Sequence, residues 1–321
     1  MLISVFPKNN VLNDISLGYR GGILIVYLTR AEWEEDWVVQ DIFCNYDRTV
    51  IVGNNSEFDD INFWQTICDL HPSIPIFIVF NHTVGFNKMM QIVKQVKPHG
   101  LFQMSDEHFS ELHYLHLSYF TKVMFRQHRI PPELQKQYEY SNVFCIPLAY
   151  MNGMLDQKSM CEILAGSTVP SYNRRYTWSF VGAIKSNRQD MINAFINADL
   201  GESFVHSSGG MKPCDMYNNI YKNSVFVLSG RGNARLDCFR HYECVIAGAI
   251  PVVVGTNSEY NPALCHNGIA PFVHAETIID AVEQCKILLQ NPEQLQMRQN
   301  QCRLWLLGAI KNIHKNIDAI L

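Results

Sequence analysis

The run from Ser224 to Thr256, SVFVLSGRGNARLDCFRHYECVIAGAIPVVVGT, constrains the fold more than any other part of the chain. A short apolar segment, Val225 to Leu228, gives way to Ser229-Gly230-Arg231-Gly232-Asn233. A helical pattern follows, Gly248 ends it, and Ile250 to Val254 is apolar again. Strand, glycine loop, helix and strand in that order make one unit of an α/β fold with a parallel sheet. Asp237 stands where a helix N-cap belongs, Phe239, Tyr242 and Ile246 recur at helical spacing, and Gly248 suits a left-handed C-terminal turn. Beside that apolar stripe, Arg240, Glu243 and Ala247 share a second face.

A cation and a carboxylate one turn apart suit a nucleotide, because the arginine meets a diphosphate near the helix N-terminus while the carboxylate accepts from ribose hydroxyls. The same spacing also serves an ordinary surface ion pair, which contributes little. The two glycines upstream and the Ile-Pro-Val-Val strand downstream favour the ligand, since glycine lets backbone approach it closely.

The segment resembles the signature of the exostosin-type glycosyltransferases, glycosyltransferase family 47, with its glycine loop, Arg-x-x-Glu helix and Gly-x-Ile-Pro-Val exit. Asn233 to Glu243, containing Cys238-Phe239-Arg240-His241-Tyr242-Glu243, is most similar to the branch that includes the ribitol-phosphate xylosyltransferase. A Ser-Gly precedes Arg231-Gly232 where exostosins often have proline. In the first half Ser105-Asp106-Glu107, Val123 to Gln127, Ile146 to Tyr150 and Gly153 follow in the order of the same branch, with Ala149 where glycine is more usual.

With 321 residues, 47% of them hydrophobic and 17% charged, the chain has the makings of a folded protein of two domains. A net charge of -4 gives no basic field for nucleic acid, so none is expected as a partner. No apolar run is long enough to cross a bilayer, and Met1 to Asn10 lack the pattern of a signal peptide. A cytoplasmic protein, in a viral or microbial setting, is therefore expected; the alternative is a lumenal domain with its anchor removed. The 10 cysteines have no C-x-x-C spacing and read as reduced thiols. Asn54-Asn55-Ser56 and Asn81-His82-Thr83 match the glycosylation pattern but carry weight only on a secretory route.

In the first half, strands are expected at Gly22 to Leu28, Thr49 to Gly53, Ile74 to Asn81, Gly100 to Met104 and Val143 to Leu148, spaced for a parallel sheet with covering helices. Gly18, Gly21 and Gly22 precede the first of them, so the dinucleotide fingerprint is missing and a nicotinamide enzyme is disfavoured. Ser105 reads as the N-cap of a helix carrying His108, His113 and His116. The last two share a face without further recognisable metal ligands. Asp106 and Glu107, at the carboxyl edge of the sheet, are either ligand-facing acids or simple helix caps.

The break between halves is expected near Gly153, with a helix from Asp156 to Leu164 and a linker from Gly166 to Arg175. The expected domains are 1–155, an N-terminal Rossmann-like acceptor-binding domain, and 156–300, a C-terminal Rossmann-like nucleotide-sugar domain. A helix at 301–321 is expected to cross back to the first, as the GT-B architecture implied by the resemblance requires. Trp178 to Val181 reads as a strand, Gly182 to Arg188 as a glycine turn with Ser186 as N-cap, and Gln189 to Asn197 as a helix. Phe204 to His206 is a further strand and Pro213 to Lys222 a helix. A turn rich in Asn257, Ser258, Asn261 and Pro262 precedes helices from Thr277 to Gln290 and Pro292 to Ile320.

Glycosyl transfer needs charge on the leaving diphosphate to be stabilised and a base for the acceptor hydroxyl. Gly182, Lys185, Ser186, Arg188, Gly230, Arg231, Gly232 and Arg240 are the candidates to hold the diphosphate, and Glu243 to hold ribose. Asp106 is the first choice of base and Glu107 the second, brought to the donor across a cleft between the two Rossmann-like domains. No Asp-x-Asp occurs, and the arginines with a helix dipole supply compensating charge, so a metal-independent reaction without cofactor is expected. The resemblance implies an inverting enzyme that moves a sugar, xylose favoured, from UDP to a glycan or glycoprotein acceptor. A nucleotide-sugar-binding scaffold of the same fold is the alternative.

Overall fold

In the computed structural model the described residues are 2–6, 22–28, 36–52, 61–70, 73–135, 137, 140–155 and 158–321. They form two compact units: unit 1 comprises Met1–Ile146 and Lys311–Leu321, and unit 2 comprises Pro147–Ile310. The break expected after residue 155 lies inside unit 2. Gly18, Gly21, Asn54-Asn55-Ser56 and Asp156 lie outside the described residues.

Unit 1 is built on β1 (Leu2–Phe6), β2 (Ile23–Tyr27), β3 (Arg48–Val52), β4 (Ile76–Phe80), β5 (Gly100–Gln103), β6 (Val123–Arg126) and β7 (Val143–Cys145), in the order β1-β3-β2-β4-β5-β6-β7. Every pairing is parallel except that of β1, which runs antiparallel to β3. β2 and β4 are buried at every position, as parallel strands covered on both faces must be. Alternate side chains divide between those faces. Leu24, Val26, Ile78 and Phe80 share a core with Trp64 of α1 (Ile61–Leu70) and Ile92 and Val93 of α2 (Phe86–Val96). On the other face Phe43 lies 4.8 Å from Phe77, and Phe102 stacks on Phe125 at 4.8 Å. A single turn, α3 (Pro132–Gln135), precedes β7.

Two expectations in this unit are corrected. Ser105 does not cap an α-helix: Ser105 (φ 66°) and Asp106 (φ 73°) take the left-handed backbone, and a 3-10 segment, Leu112–Phe120, follows. Its exposed residues, His113, His116 and Tyr119, recur every third position, which is the 3-10 period and keeps the two histidines on one edge. Among the described residues no group of three or more His, Cys, Asp or Glu is placed to hold a metal. None of their helices is long and apolar enough to cross a membrane.

Unit 2 contains α4 (Met160–Ala165), β8 (Tyr176–Val181), α5 (Arg188–Asn197), β9 (Ser203–His206), α6 (Pro213–Asp215), β10 (Ser224–Leu228), α7 (Phe239–Ile246), β11 (Ile250–Val254), α8 (Asn257–Ala263), β12 (Val273–Ala275) and α9 (Ile278–Leu289). α10 (Pro292–Asp318) begins in this unit, and its residues from Lys311 onward belong to unit 1. The sheet order is β12-β11-β10-β8-β9, all parallel.

Local chemistry moves several expected boundaries. α4 starts at Met160 because Ser159 and Glu162 form a capping box. The N-cap of α5 is Asn187, since Ser186 is in the left-handed region at φ 50°. The N-cap of α7 is Cys238, because Asp237 is buried and accepts a hydrogen bond from Tyr242 Oη at 2.9 Å. The turn expected at Asn257 to Pro262 is α8, started by a capping box of Thr256 and Glu259. The helix expected from Pro213 to Lys222 is one α turn followed by a π turn and a 3-10 turn. The expected linker is tied down, for Arg174 donates to the carbonyls of Val169, Tyr221, Ser224 and Ala247.

Candidate functional site

In an open parallel sheet the loops diverge where the strand order reverses, leaving a crevice at the carboxyl ends of the two strands concerned. In unit 2 the chain goes from β8 outward to β9, then returns to place β10 on the other side of β8. The reversal therefore lies between β8 and β10. Those strands are followed by the loops singled out in the sequence, Gly182 to Asn187 and Ser229 to Asp237, and each loop runs into the first turn of a helix.

Side chains hold these loops together. Arg240, in the first turn of α7, reaches across to β8 and donates Nε to the Val181 carbonyl at 2.9 Å, its guanidinium 5.1 Å from the Phe180 ring centroid. Gly182 (φ 137°) makes room for it, because a Cβ there would lie 2.4 Å from Arg240 Nη2. Nη1 of Arg240 is buried without a hydrogen-bond partner. Burial alone would lower the affinity of this guanidinium for its proton, but Tyr221, Cys238 and Glu243 outweigh it and the charge is held more firmly than usual.

Glu243, one turn further, is 2% exposed and accepts the Met151 N–H at 3.3 Å. Burial pushes its carboxyl up to about 7 against the pull of Arg240 and the Met151 hydrogen bond. Arg240 and Glu243 are thus not a surface ion pair: each is held by backbone. Met151 follows Ala149, which takes φ 58° at the position where glycine is more usual; left-handed backbone costs an ordinary residue about 1–2 kcal/mol.

The remaining candidates fall into two groups. Arg188 is buried and spends its fork on backbone, donating Nε and Nη2 to the Arg231 carbonyl and Nη1 to that of Ala183. It clamps one glycine loop to the other rather than opening toward a phosphate. Burial, then repulsion from Arg240, lowers its proton affinity. Gly230 is required beneath it, since a Cβ would sit 2.7 Å from Arg188 Cγ. Lys185 and Ser186 are exposed, with Lys185 Nζ 2.8 Å from Asn233 Oδ1. Arg231 pairs with Glu259 at 2.7 Å, and Gly232 closes the loop by donating to the Arg235 carbonyl at 2.8 Å. Asn187, whose Nδ2 donates to the Val254 carbonyl at 3.4 Å, belongs to the same loops and was not singled out in the sequence.

In unit 1, Asp106 is almost wholly buried. Oδ2 accepts from Arg126 Nη2 at 3.0 Å, and Oδ1 accepts from the Glu111 N–H at 3.1 Å and Ser110 Oγ at 3.4 Å. Glu107 beside it is partly exposed, its side chain at 24%. The strand order of unit 1 reverses between β2 and β4, whereas Asp106 follows β5.

No family model matches the sequence, and no curated protein matches it. Solved structures do. An alpha-glucosyltransferase in complex with UDP superposes with a TM-score of 0.55 at 10% identity, over 89% of this chain and 95% of that one. An alpha-glucosyltransferase with UDP and a 13-mer DNA containing an HMU base gives 0.52 at 9% identity, over 90% and 95%. The fold is GT-B. A UDP-GlcNAc 2-epimerase from Neisseria meningitidis bound to UDP-GlcNAc gives 0.51 at 12% identity, over 92% and 99%. At these identities the likeness establishes the GT-B fold alone, and the chemistry rests on the residues of the two loops.

Proposed function

We propose that the protein is a glycosyltransferase that takes its sugar from a UDP-sugar, whose diphosphate lies at the strand-order reversal of unit 2. One observation carries this reading: a charged arginine, Arg240, held between two glycine loops, with a buried Nη1 that has no hydrogen-bond partner and the Tyr221 hydroxyl as its neighbour. An unused N–H on a fixed cation at two helix N-termini is suited to an anion arriving from outside. Arg231 adds a second cation on the loop, one that would exchange Glu259 for the diphosphate. Glu243 is suited to the ribose, its orientation fixed by the Met151 N–H. UDP or a UDP-sugar is bound in all three structural neighbours, which supports the choice of nucleotide.

The reaction that fits these groups is a single displacement with inversion. The acceptor oxygen loses its proton to a base and attacks the anomeric carbon, while the bond to the diphosphate breaks and UDP leaves with its new charge met by Arg240 and Arg231. Glu107 is the better base, because Asp106 has both oxygens occupied and positions the turn that carries Glu107. The arginines do the work that a divalent ion does elsewhere, so no metal is required. Xylose as the sugar and a glycan or glycoprotein as the acceptor rest on the exostosin resemblance.

Titration calorimetry with UDP, UDP-xylose, UDP-glucose and UDP-N-acetylglucosamine, with and without EDTA, tests the proposal. UDP binding that survives EDTA and is lost in Arg240→Met is the expected result; failure of every uridine nucleotide to bind would end it. Turnover is then assayed on glycan and on DNA acceptors, with C2 epimerisation of UDP-N-acetylglucosamine followed in parallel. Release of UDP only with a glycan acceptor fits; acceptor-free epimerisation, or transfer to DNA, reassigns the reaction.

A further inference from the structure

Beneath the glycine loop of unit 2 lies a cluster for which sugar transfer has no use. Cys238, partly exposed, is the N-cap of α7, eight residues long. Its Sγ lies 3.4 Å from the Gly230 carbonyl, 3.6 Å from Ser229 Oγ and 3.7 Å from His241 Nε2. The His241 ring is fully buried, with Nε2 2.8 Å from the Leu236 carbonyl and Nδ1 2.6 Å from Ser229 Oγ. A carbonyl only accepts, so Nε2 carries a proton. When Nδ1 is protonated as well it donates to Ser229 Oγ, which frees the serine hydrogen for the sulfur. The sulfur then faces a serine O–H, a shared imidazolium N–H and a helix N-terminus, each of which favours its negative form, against the Gly230 carbonyl, which accepts from the S–H and favours the thiol.

We propose that Cys238 is a modification site: a thiolate paired with His241, open to oxidation by hydroperoxides, whose oxidation disables the neighbouring glycine loop. The last part rests on the donor site proposed above. The thiolate attacks one peroxide oxygen; the S–O bond forms, the O–O bond breaks, and the departing hydroxide takes a proton to become water. Sulfur is oxidised by two electrons to the sulfenic acid and the peroxide is reduced by two. The new oxygen has little room. The sulfur already lies 3.4 Å from the Gly230 carbonyl, a Cβ at Gly230 would be only 2.7 Å from Arg188 Cγ, and Arg188 in turn grips the Arg231 carbonyl, so an oxidised sulfur displaces the loop at its glycine.

The charges around the sulfur agree with this. Burial raises the thiol, but His241 by charge and hydrogen bond, Arg240 and Ser229 outweigh it and bring it down to about 6. Burial lowers His241, and Cys238 more than restores it. Arg188 from α5 is a further cation on the sulfur, while Asp237 on the loop, Tyr221, and Glu243 and Cys244 on α7 act in the opposite sense.

The test is peptide mass spectrometry of the intact protein treated with iodoacetamide at about pH 6.5, and separately with hydrogen peroxide and a sulfenic-acid trap. Cys238 is expected to react about 10-fold faster than Cys68, Cys145, Cys214 and Cys265, which are similarly exposed. Ser229→Ala, a small change that keeps the imidazole, and His241→Asn should each raise the midpoint of its pH–rate profile. Labelling no faster than at the other four, or a profile that neither variant moves, would overturn the thiolate. For the coupling, peroxide should abolish UDP binding in the wild type, dithiothreitol should restore it, and Cys238→Ala should bind UDP throughout. If Cys238 reacts as expected but UDP never binds, the donor site is wrong and the thiolate stands. If UDP binds equally before and after oxidation, the coupling fails.

Discussion

Each unit sets an arginine and a buried carboxylate at the carboxyl edge of its sheet, and treats them differently. In unit 1 Arg126 and Asp106 lie 3.0 Å apart, and the remaining carboxylate oxygen is taken by Glu111 and Ser110. Asp106 is closed to a newcomer. Both arginines keep an Nη1 without a partner, but in unit 2 Arg240 and Glu243 are not bonded to each other: the one donates to the Val181 carbonyl and the other accepts the Met151 N–H. A carboxylate closed on an arginine braces the structure, whereas an arginine held by backbone and by the charges around it has no carboxylate bonded to its guanidinium and can still meet an anion. The strand order points the same way, since Arg240 reaches across the reversal of its sheet and Asp106 lies away from the reversal of its own.

Four changes would break or sharpen this contrast. The largest effect is expected at Asp106→Asn, which strands Arg126 without its counter-charge and should cost about 3–5 kcal/mol of stability. Denaturant unfolding reads it, and an undiminished midpoint would mean the pair does not brace unit 1. Next comes Arg240→Met, which should cost less stability than Asp106→Asn while weakening UDP about 10- to 100-fold, the worth of a hydrogen bond from a charged group. Gly182→Ala should follow it, because the new methyl occupies the place of Nη2. Loss of folding in Arg240→Met with intact affinity would invert the comparison.

The third change concerns pH. Glu243 and Asp237 both hold their protons to about 7 because they are buried. Folded protein therefore binds protons that the unfolded chain has released, so the stability they lend is whole below their ordinary values, 4.5 for Glu243 and 3.8 for Asp237, and is lost as pH rises through about 7. Melting temperature should fall between about pH 5 and pH 8, less steeply in Glu243→Gln. A variant with the wild-type slope would show that Glu243 does not titrate there. The smallest effect is expected at Lys185→Ala: Lys185 is exposed and bonded to Asn233, and its loss should change UDP affinity only a few-fold.

The core of each sheet was legible because parallel strands covered on both faces are apolar at nearly every position. Ile250 to Val254 is the plain case, its expected limits being those of β11. β6 and β12 escaped for the opposite reason: one ends in Arg126, and the other has only three residues with His274 in the middle. The 3-10 segment at Leu112–Phe120 passed for an α-helix since, over nine residues, a repeat of 3.0 and one of 3.6 share most of their apolar positions. α8 has a local start signal, the capping box of Thr256 and Glu259, but the asparagines and the proline within it have the composition of a turn.

At the site, the sequence located both loops, because glycines and helix starts are local signals. It could not assign the arginines. Arg188 and Arg240 stand alike at the starts of helices, and only the packing of β8 against β10 makes one a clamp on the Arg231 carbonyl and leaves the other with a donor to spare. The Cys238-x-x-His241 spacing was in view, yet its meaning depends on Ser229 lying between the two side chains.

The last helix carries a consequence for synthesis. α10 starts among the residues of unit 2 and ends among those of unit 1, where His314 bonds to the Asp41 carbonyl, Asp318 to Tyr46, and Ile320 to Lys122. A ribosome delivers all of residues 147–310 before residues 311–321. Unit 1 is thus first to emerge and last to be finished, its sheet waiting through the whole translation of unit 2 for the turns that complete it. A stop codon at Lys311 would spare the unit that holds Arg240 and cripple the one that holds Asp106, although Asp106 was translated long before it.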